Sequence, residues 1–229
     1  MEFESFDKFV QIQGFDLPTS GFNSRLWTLA DASILALRTK IEAKGRTLKS
    51  LGAKIRLGIA TGHNGAFLVD SITKKSLVEM DKNNAEIIVP ILRGRDIARY
   101  GKIQPKTHLI AARNGINIKK DYPTIFKYFE SFGQNFKTRG AQGQQWWNLR
   151  ACNFYDDFDH ERIVWIELSD KARFTKCPAG IWCLNTAYFM LPPRGFSPNY
   201  ILGLLNSCLI DFYFQINRTN KRYGGNALD

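Results

Sequence analysis

The sequence has 229 residues, 44% of them hydrophobic and 23% charged, the proportions of a globular protein with a core of its own. Its formal net charge of +11 points to a polyanionic partner, nucleic acid before membrane, and no run reaches the roughly 20 apolar residues of a spanning helix. The start, Met1-Glu2-Phe3-Glu4, is acidic and polar, unlike a signal or transit peptide, and Cys152, Cys177, Cys183 and Cys208 form no C-x-x-C pair, which argues against zinc and against a disulfide framework. The cysteines read as reduced, mostly buried thiols of a cytoplasmic protein.

Residues 1–30 alternate Phe3, Phe6 and Phe9 with Gly14, Pro18 and Gly21 before Trp27, and read as a lead-in or linker of short extended pieces, cut from something longer. A helix is predicted near 32–44, capped by Asp31, with Ile34, Leu37 and Ile41 on one face and Gly45 at its end. Its surroundings are basic: Lys40, Lys44, Arg46, Lys49, Lys54 and Arg56. From Lys54 the period shifts to two, and Ile55, Leu57 and Ile59 mark a strand. Thr61-Gly62-His63-Asn64-Gly65 follows as a tight polar turn, and Ala66–Asp70 resumes as a strand, so the pair is expected to form a hairpin with Thr61, His63 and Asn64 at its tip. Short polar side chains between glycines can approach a base edge or a phosphate closely; a turn chosen only for its backbone is the other reading.

Glu86–Leu92 is an apolar run that predicts a short buried strand, and it delivers Ile91-Leu92-Arg93-Gly94-Arg95-Asp96-Ile97-Ala98-Arg99-Tyr100. Three arginines about one glycine on a stiff turn place guanidinium forks that match phosphate oxygens or the guanine edge bidentately. The alternatives are an arginine-rich loop that only solubilises, and an Asp96 that pins one arginine by an ion pair. Thr107–Ala112 reads as a strand, Arg113-Asn114-Gly115 as a turn, and Ile116–Lys120, with Lys119 and Lys120, as a basic connector. A helix near 122–138 is expected, capped by Asp121, with Pro123 in its first turn and Gly133 weakening it. Residues 139–145 are rich in glycine and glutamine and read as mobile. Trp146-Trp147 beside Arg150 offers either core packing or a stacking platform for a splayed base. The acidic run 156–161 reads as a solvated loop rather than a metal site. Strands are expected at 163–166, at Phe174 and over 182–190, and a last helix near 198–216, with Ile201, Leu204, Leu205, Cys208 and Phe212 as its apolar face. The tail, Arg218, Lys221, Arg222 and Gly224-Gly225, is basic and loose.

The sequence lacks a phosphate-binding P-loop, a dinucleotide fingerprint and H-E-x-x-H. It also lacks the Asn/Asp-Pro-Pro-Tyr with which an amino-methyltransferase holds its base, and Glu167 is followed two places on by Ser169 where a nuclease core would want lysine. No serine or cysteine sits in a nucleophile elbow. The chain therefore reads as a binder, with no catalytic residues and no metal site of its own.

Several stretches, in order, resemble the TaqI-like C-terminal specificity domain, the target-recognition domain of type IIG restriction–modification enzymes and related adenine-specific DNA methyltransferases. They are Glu42-Ala43-Lys44-Gly45; Gly58 to Phe67; Ile91 to Ile97; Asp121-Tyr122-Pro123; Trp146 to Arg150; Ile163-Val164-Trp165; Asn185-Thr186; and Tyr200 to Ser207, together covering roughly 25–225. The Leu-Asn-Ser element is shared with specificity subunits of type I systems, whereas the arginine–glycine–arginine stretch favours type IIG.

The resemblance implies an α+β fold, an irregular twisted β core followed by a helical C-terminal part, with a recognition domain over 31–229. Its β-rich part would run over about 54–112 and its mixed α/β part over about 113–229. The implied role is sequence-specific recognition of double-stranded DNA for a methyltransferase domain lying upstream in the same polypeptide. S-adenosylmethionine, and magnesium where the parent carries a nuclease, would be bound outside this chain. On physical criteria the expected DNA contacts are Arg93, Arg95 and Arg99, then Thr61, His63 and Asn64, with Arg113, Lys119 and Lys120 on phosphates. An RNA- or single-strand-binding domain, half of a type I specificity subunit, and a protein-interaction domain with incidental charge are the competing readings.

Overall fold

The protein is described by a computed structural model for residues 6–14, 16 and 30–218. Pro18, Gly21 and Trp27 of the lead-in, and the basic tail beyond Arg218, lie outside the described residues. The chain divides into two compact units, one of residues 1–47, 170–172 and 207–229, the other of residues 48–169 and 173–206.

The larger unit is α+β, built on two open four-stranded sheets. One sheet has the order β1 (Lys54–Leu57), β8 (Ala187–Leu191), β5 (Arg162–Ile166), β6 (Phe174–Cys177), antiparallel throughout. The other has the order β2 (Leu68–Asp70), β4 (Thr107–Ile110), β3 (Ile88–Leu92), β7 (Trp182–Cys183), with β7 parallel to β3. Each sheet draws strands from both sides of residue 113. Apolar runs form the central strands: Ile163, Val164, Ile91, Leu92, Leu109 and Ile110 expose almost nothing.

The expected hairpin does not form. β1 pairs with β8, from Lys54↔Leu191 to Leu57↔Tyr188, and β2 pairs with β4 in the other sheet. Alternation marks each segment as a strand but leaves its partner open, and the chain between them crosses from sheet to sheet. Gly58 makes that crossing tight: a Cβ there would lie 2.3 Å from the Leu184 carbonyl oxygen. The polar turn itself is a helix start, α3 (Asn64–Phe67), because the His63 ring accepts the Ala66 N–H at 3.1 Å.

Among the helices, α4 (Ser71–Met80) has no counterpart in the sequence reading; Asp70 caps it by accepting the Thr73 N–H at 2.7 Å. The basic connector becomes α5 (Ile118–Asp121), capped by Asn117 rather than feeding a helix capped by Asp121. The expected 122–138 helix is two, α6 (Pro123–Glu130) and α7 (Gly133–Lys137), divided where Gly133 takes a φ of +69°. Residues 139–145 are held by hydrogen bonds instead of hanging free, the Gln142 amide donating to the Lys137 and Arg139 carbonyls at 2.8 Å each. The last helix is also two. α8 (Pro198–Leu205) stops at Asn206, whose buried side chain accepts the Phe174 N–H and donates to the Phe174 carbonyl at 3.0 and 2.9 Å. The break resets the apolar face: Ile201 and Leu202 are buried, while Leu204 is exposed. The acidic run forms a single 3-10 turn, Tyr155–Asp159, around a buried Phe158; Asp157 lies 3.6 Å from Arg56 and Glu161 3.9 Å from Lys176. Arg162 is a buried cation with no carboxylate partner among the described residues. It donates to the carbonyls of Phe158, His160 and Pro178 and lies over the Phe158 and Phe189 rings. The neighbouring Cys177 thiol is pulled below its ordinary pKa by a hydrogen bond with Cys183 and by that guanidinium.

The smaller unit contains α1 (Phe6–Gln13), α2 (Ala32–Lys44) and α9 (Cys208–Arg218). α1 is a helix where short extended pieces were expected. α2 has the predicted bounds, and the Asp31 carboxylate accepts the Ser33 and Ile34 N–H groups at 2.9 and 3.0 Å. Glu42 on α2 accepts from Arg38 at 2.8 Å and from the Tyr213 hydroxyl of α9 at 2.9 Å. All four cysteines are free thiols: Cys177 and Cys183 are buried, Cys152 is half-buried, and Cys208, expected on an apolar face, is exposed at the start of α9.

Candidate nucleic-acid interface

The strand β3 ends at Leu92, and Gly94–Asp96 forms a 3-10 turn. Asp96 stabilises that turn from within. Its carboxylate accepts the Arg93 N–H at 3.3 Å and its own N–H donates to the Arg93 carbonyl at 3.0 Å. So Asp96 fixes the backbone, and among the described residues it forms no ion pair with an arginine. Gly94 presses against Asn185-Thr186: its N–H donates to Thr186 Oγ1 at 2.9 Å, and a Cβ would lie 2.2 Å from the Thr186 carbonyl oxygen. Only glycine permits that approach. Arg93 and Arg95, on either side, leave a clamped base.

These arginines meet the glycine-framed turn. An open groove of about 480 Å³ is lined by Asn64, Gly65, Leu68, Arg93, Arg95, Leu184 and Thr186. Among the described residues neither Arg93 nor Arg95 has a salt-bridge partner, and the Arg93 Nε is buried without a hydrogen-bond acceptor. Guanidinium groups without a carboxylate partner, beside an amide, suit an oxygen-rich anionic ligand.

Thr61 lies behind the groove, 2% exposed, its hydroxyl donating to Asn64 Oδ1 at 2.7 Å and accepting the His63 N–H at 3.2 Å. His63 is half-buried and committed to its cap, with its ring edge-on to Phe132 and tilted against Phe136. The loop is anchored by Arg139. Its guanidinium donates to the carbonyls of Thr61 and Phe136 at 3.1 Å each, of Asn148 at 2.7 Å and of Trp146, and lies over the Phe67 and Phe136 rings at 4.7 and 4.5 Å. Among the described residues no carboxylate pairs with it, and burial pulls its pKa down to about 10. Gly62, with φ +71°, completes the clamp, since a Cβ there would lie 2.1 Å from the Gly140 oxygen.

The other candidate residues lie elsewhere. Arg99 donates to the Asn206 carbonyl at the end of α8 and packs over Tyr100, 5.4 Å from the ring centre. Arg113 is exposed and covers the Tyr155 and Trp182 rings at 5.7 and 6.0 Å, and burial pushes the Tyr155 hydroxyl up to about 12. Lys119 and Lys120 project from α5, with Lys119 5.8 Å from the Phe126 ring. Trp146 and Trp147 are half-buried and meet edge to face at 5.3 Å; both pack on Phe126, and Trp146 also on Phe136. A second cavity, about 780 Å³ between α4 and α6, is lined by Ile72, Leu77, Met80, Pro123, Lys127 and Tyr128. Among the described residues no group of three or more His, Cys, Asp or Glu side chains is placed to hold a metal, and no helix is long and apolar enough to cross a membrane. Leu184, Thr186 and Arg139 were missed as site residues. Only the Asn185-Thr186 pair had drawn notice, and nothing local to it says that it abuts a glycine 92 residues earlier.

No curated protein sequence matches the chain. Among solved structures it is similar to the type IIL restriction–modification enzyme MmeI in complex with DNA, at 15% identity and a TM-score of 0.48, over 67% of this chain and 20% of that one. It is also similar to the type IIG restriction endonuclease BpuSI, at 16% identity and a TM-score of 0.47, over 77% of this chain and 22% of that one. The chain thus spans about a fifth of the length of these enzymes. Residues 89–225, more than half of the sequence and including Arg93, Arg95 and the Asn185-Thr186 pair, match one family, and the chain belongs to it: the TaqI-like C-terminal specificity domain.

Proposed function

We propose that the chain is the part of a restriction–modification enzyme that reads a short sequence in double-stranded DNA. The remainder of the full-length polypeptide supplies the adenine methyltransferase, with its S-adenosylmethionine, and any magnesium-dependent nuclease. The recognition domain would extend over 31–229, with 1–30 as its lead-in.

The observation that carries this reading is the groove in which Arg93, Arg95 and Asn64 converge without a carboxylate. Among the described residues these two guanidinium groups have no salt-bridge partner, so no internal ion pair has to break before they meet a phosphate or a base edge. The net charge of +11 would draw the duplex in, and Arg113, Lys119 and Lys120 are exposed and available to phosphates. The half-buried tryptophans pack on each other and on Phe126, which favours core packing over a stacking platform for a single strand.

A competition assay tests the proposal. Fluorescent duplex DNA bound to the chain at low salt should be displaced by unlabelled duplex DNA in preference to duplex RNA of equal length. Affinity should fall steeply with salt, and Lys119→Ala or Lys120→Ala should each shallow the slope by about one unit. Equal displacement by RNA, or no binding at low salt, would contradict it.

A further inference from the structure

The polar side chains that line the groove offer more donors than acceptors. Arg93 and Arg95 have no acceptor to offer. Asn64 carries both functions, but its Oδ1 is occupied by the Thr61 hydroxyl at 2.7 Å. That hydroxyl is itself oriented, since it accepts the His63 N–H at 3.2 Å and so has its proton left for Asn64. One of the two lone pairs of the Asn64 oxygen is thereby taken, and its NH2 and one lone pair are left for a ligand. Thr186 Oγ1 accepts the Gly94 N–H at 2.9 Å and keeps its hydroxyl proton and one lone pair. Among the described residues no carboxylate lines the groove, and Leu68 and Leu184 supply its apolar share.

From this we propose that the groove reads a guanine by its major-groove edge, with Thr61 as the positioning residue that takes one lone pair of the Asn64 oxygen and so tilts Asn64 toward donating. The inference rests on the reading of the chain as a duplex-DNA module and names what that site takes. In the major groove guanine shows two acceptors, O6 and N7. Adenine pairs one acceptor with an N6 donor, cytosine shows an N4 donor, and thymine has one acceptor beside a methyl. The two guanidinium groups oppose every edge that carries a donor and are best filled by guanine. Asparagine ordinarily selects adenine because it can accept and donate together; with one lone pair of the Asn64 oxygen held by Thr61, that pairing is weakened. A backbone phosphate is also acceptor-only, but it keeps its water, and two leucines in the lining favour the flat edge of a base.

The test uses the whole chain and a DNA duplex library with a randomised central segment. Selection should enrich a guanine at one or more positions. Replacing that guanine by 7-deazaguanine, which lacks the N7 acceptor, should weaken binding about tenfold. Arg95→Lys keeps the charge without the fork, and should bring the affinities for the guanine and deaza duplexes toward equality. Thr61→Val should raise the affinity for an adenine duplex relative to the guanine one by about threefold. Thermal unfolding of each variant separates lost contacts from lost fold.

Enrichment without guanine, or an unchanged affinity for the deaza duplex, overturns the inference and leaves the DNA reading in place. A loss seen only when a neutral methylphosphonate replaces one linkage overturns it in favour of a phosphate contact. No binding to any library member at low salt overturns both.

Discussion

Arg139→Met removes a buried guanidinium that serves four carbonyls at once, those of Thr61, Phe136, Trp146 and Asn148. Methionine fills much of the same volume between the Phe67 and Phe136 rings but donates nothing. The carbonyls cannot all turn to solvent, since Arg139 is 8% exposed and Asn148 1%. Each orphaned acceptor costs about 1–2 kcal/mol, and part of the total is offset because an unpaired cation is no longer buried. The expected net loss is about 3–5 kcal/mol, a large share of the roughly 5–15 kcal/mol that holds a domain together. Urea denaturation gives the number directly, and thermal unfolding should fall by about 10 °C or more. Amide exchange at His63 and Ala66 should accelerate, because the strand-to-α3 turn loses its anchor. A loss below about 1 kcal/mol with unchanged exchange at those amides would refute the idea that Arg139 holds the groove wall.

Three further outcomes are expected. Gly94→Ala should cost about 1–3 kcal/mol in urea denaturation and should weaken duplex binding, since the new methyl would lie 2.2 Å from the Thr186 oxygen. Arg99→Ala should cost about 1–2 kcal/mol through the lost bond to the Asn206 carbonyl, and the salt slope of duplex binding should stay at the parent value. Asp70→Ala should destabilise α4 in a pH-dependent way. The Thr73 N–H, the main cause, holds the Asp70 pKa below its ordinary 3.8. A carboxylate depressed on folding stabilises above its unfolded value and ceases to do so as pH falls through the folded one. The gap in thermal midpoint between parent and variant should therefore be present at neutral pH and narrow as pH drops below 3.8.

Much of the fold was legible because its signals are local. Asp31 and Gly45 bracket α2, Ile88–Leu92 is apolar on both faces, and Pro123 opens α6. What escaped was pairing. Period two in Ile55–Leu57 and Ala66–Val69 is satisfied by any partner, and the partners proved to be β8 and β4, far along the chain. Gly133 and Asn206 broke two helices whose apolar spacing ran on, the first by its positive φ and the second by turning its side chain onto β6. The site divides likewise. Arg93, Arg95 and Asn64 were singled out by residue type and turn context, and the fold brings them to one groove. Arginine content alone could not separate Arg95 from Arg99, four residues on, because what distinguishes them is a carbonyl 107 residues away. Arg139 gave no signal, since an arginine in a glycine- and glutamine-rich stretch reads as a solvated charge.

The account stands on the claim that Asn64, Arg93 and Arg95 form one duplex-binding surface. The most direct measurement is the affinity of the triple variant Asn64→Ala/Arg93→Ala/Arg95→Ala for a duplex selected by the parent chain. A control carries Lys74→Ala/Lys75→Ala on α4, outside the groove lining. The groove variant should fold and lose at least about a hundredfold in affinity, as two or more good base contacts of about 1–3 kcal/mol each would require, while the control stays near the parent. A groove variant that binds like the parent, or a control that loses as much, would contradict the account.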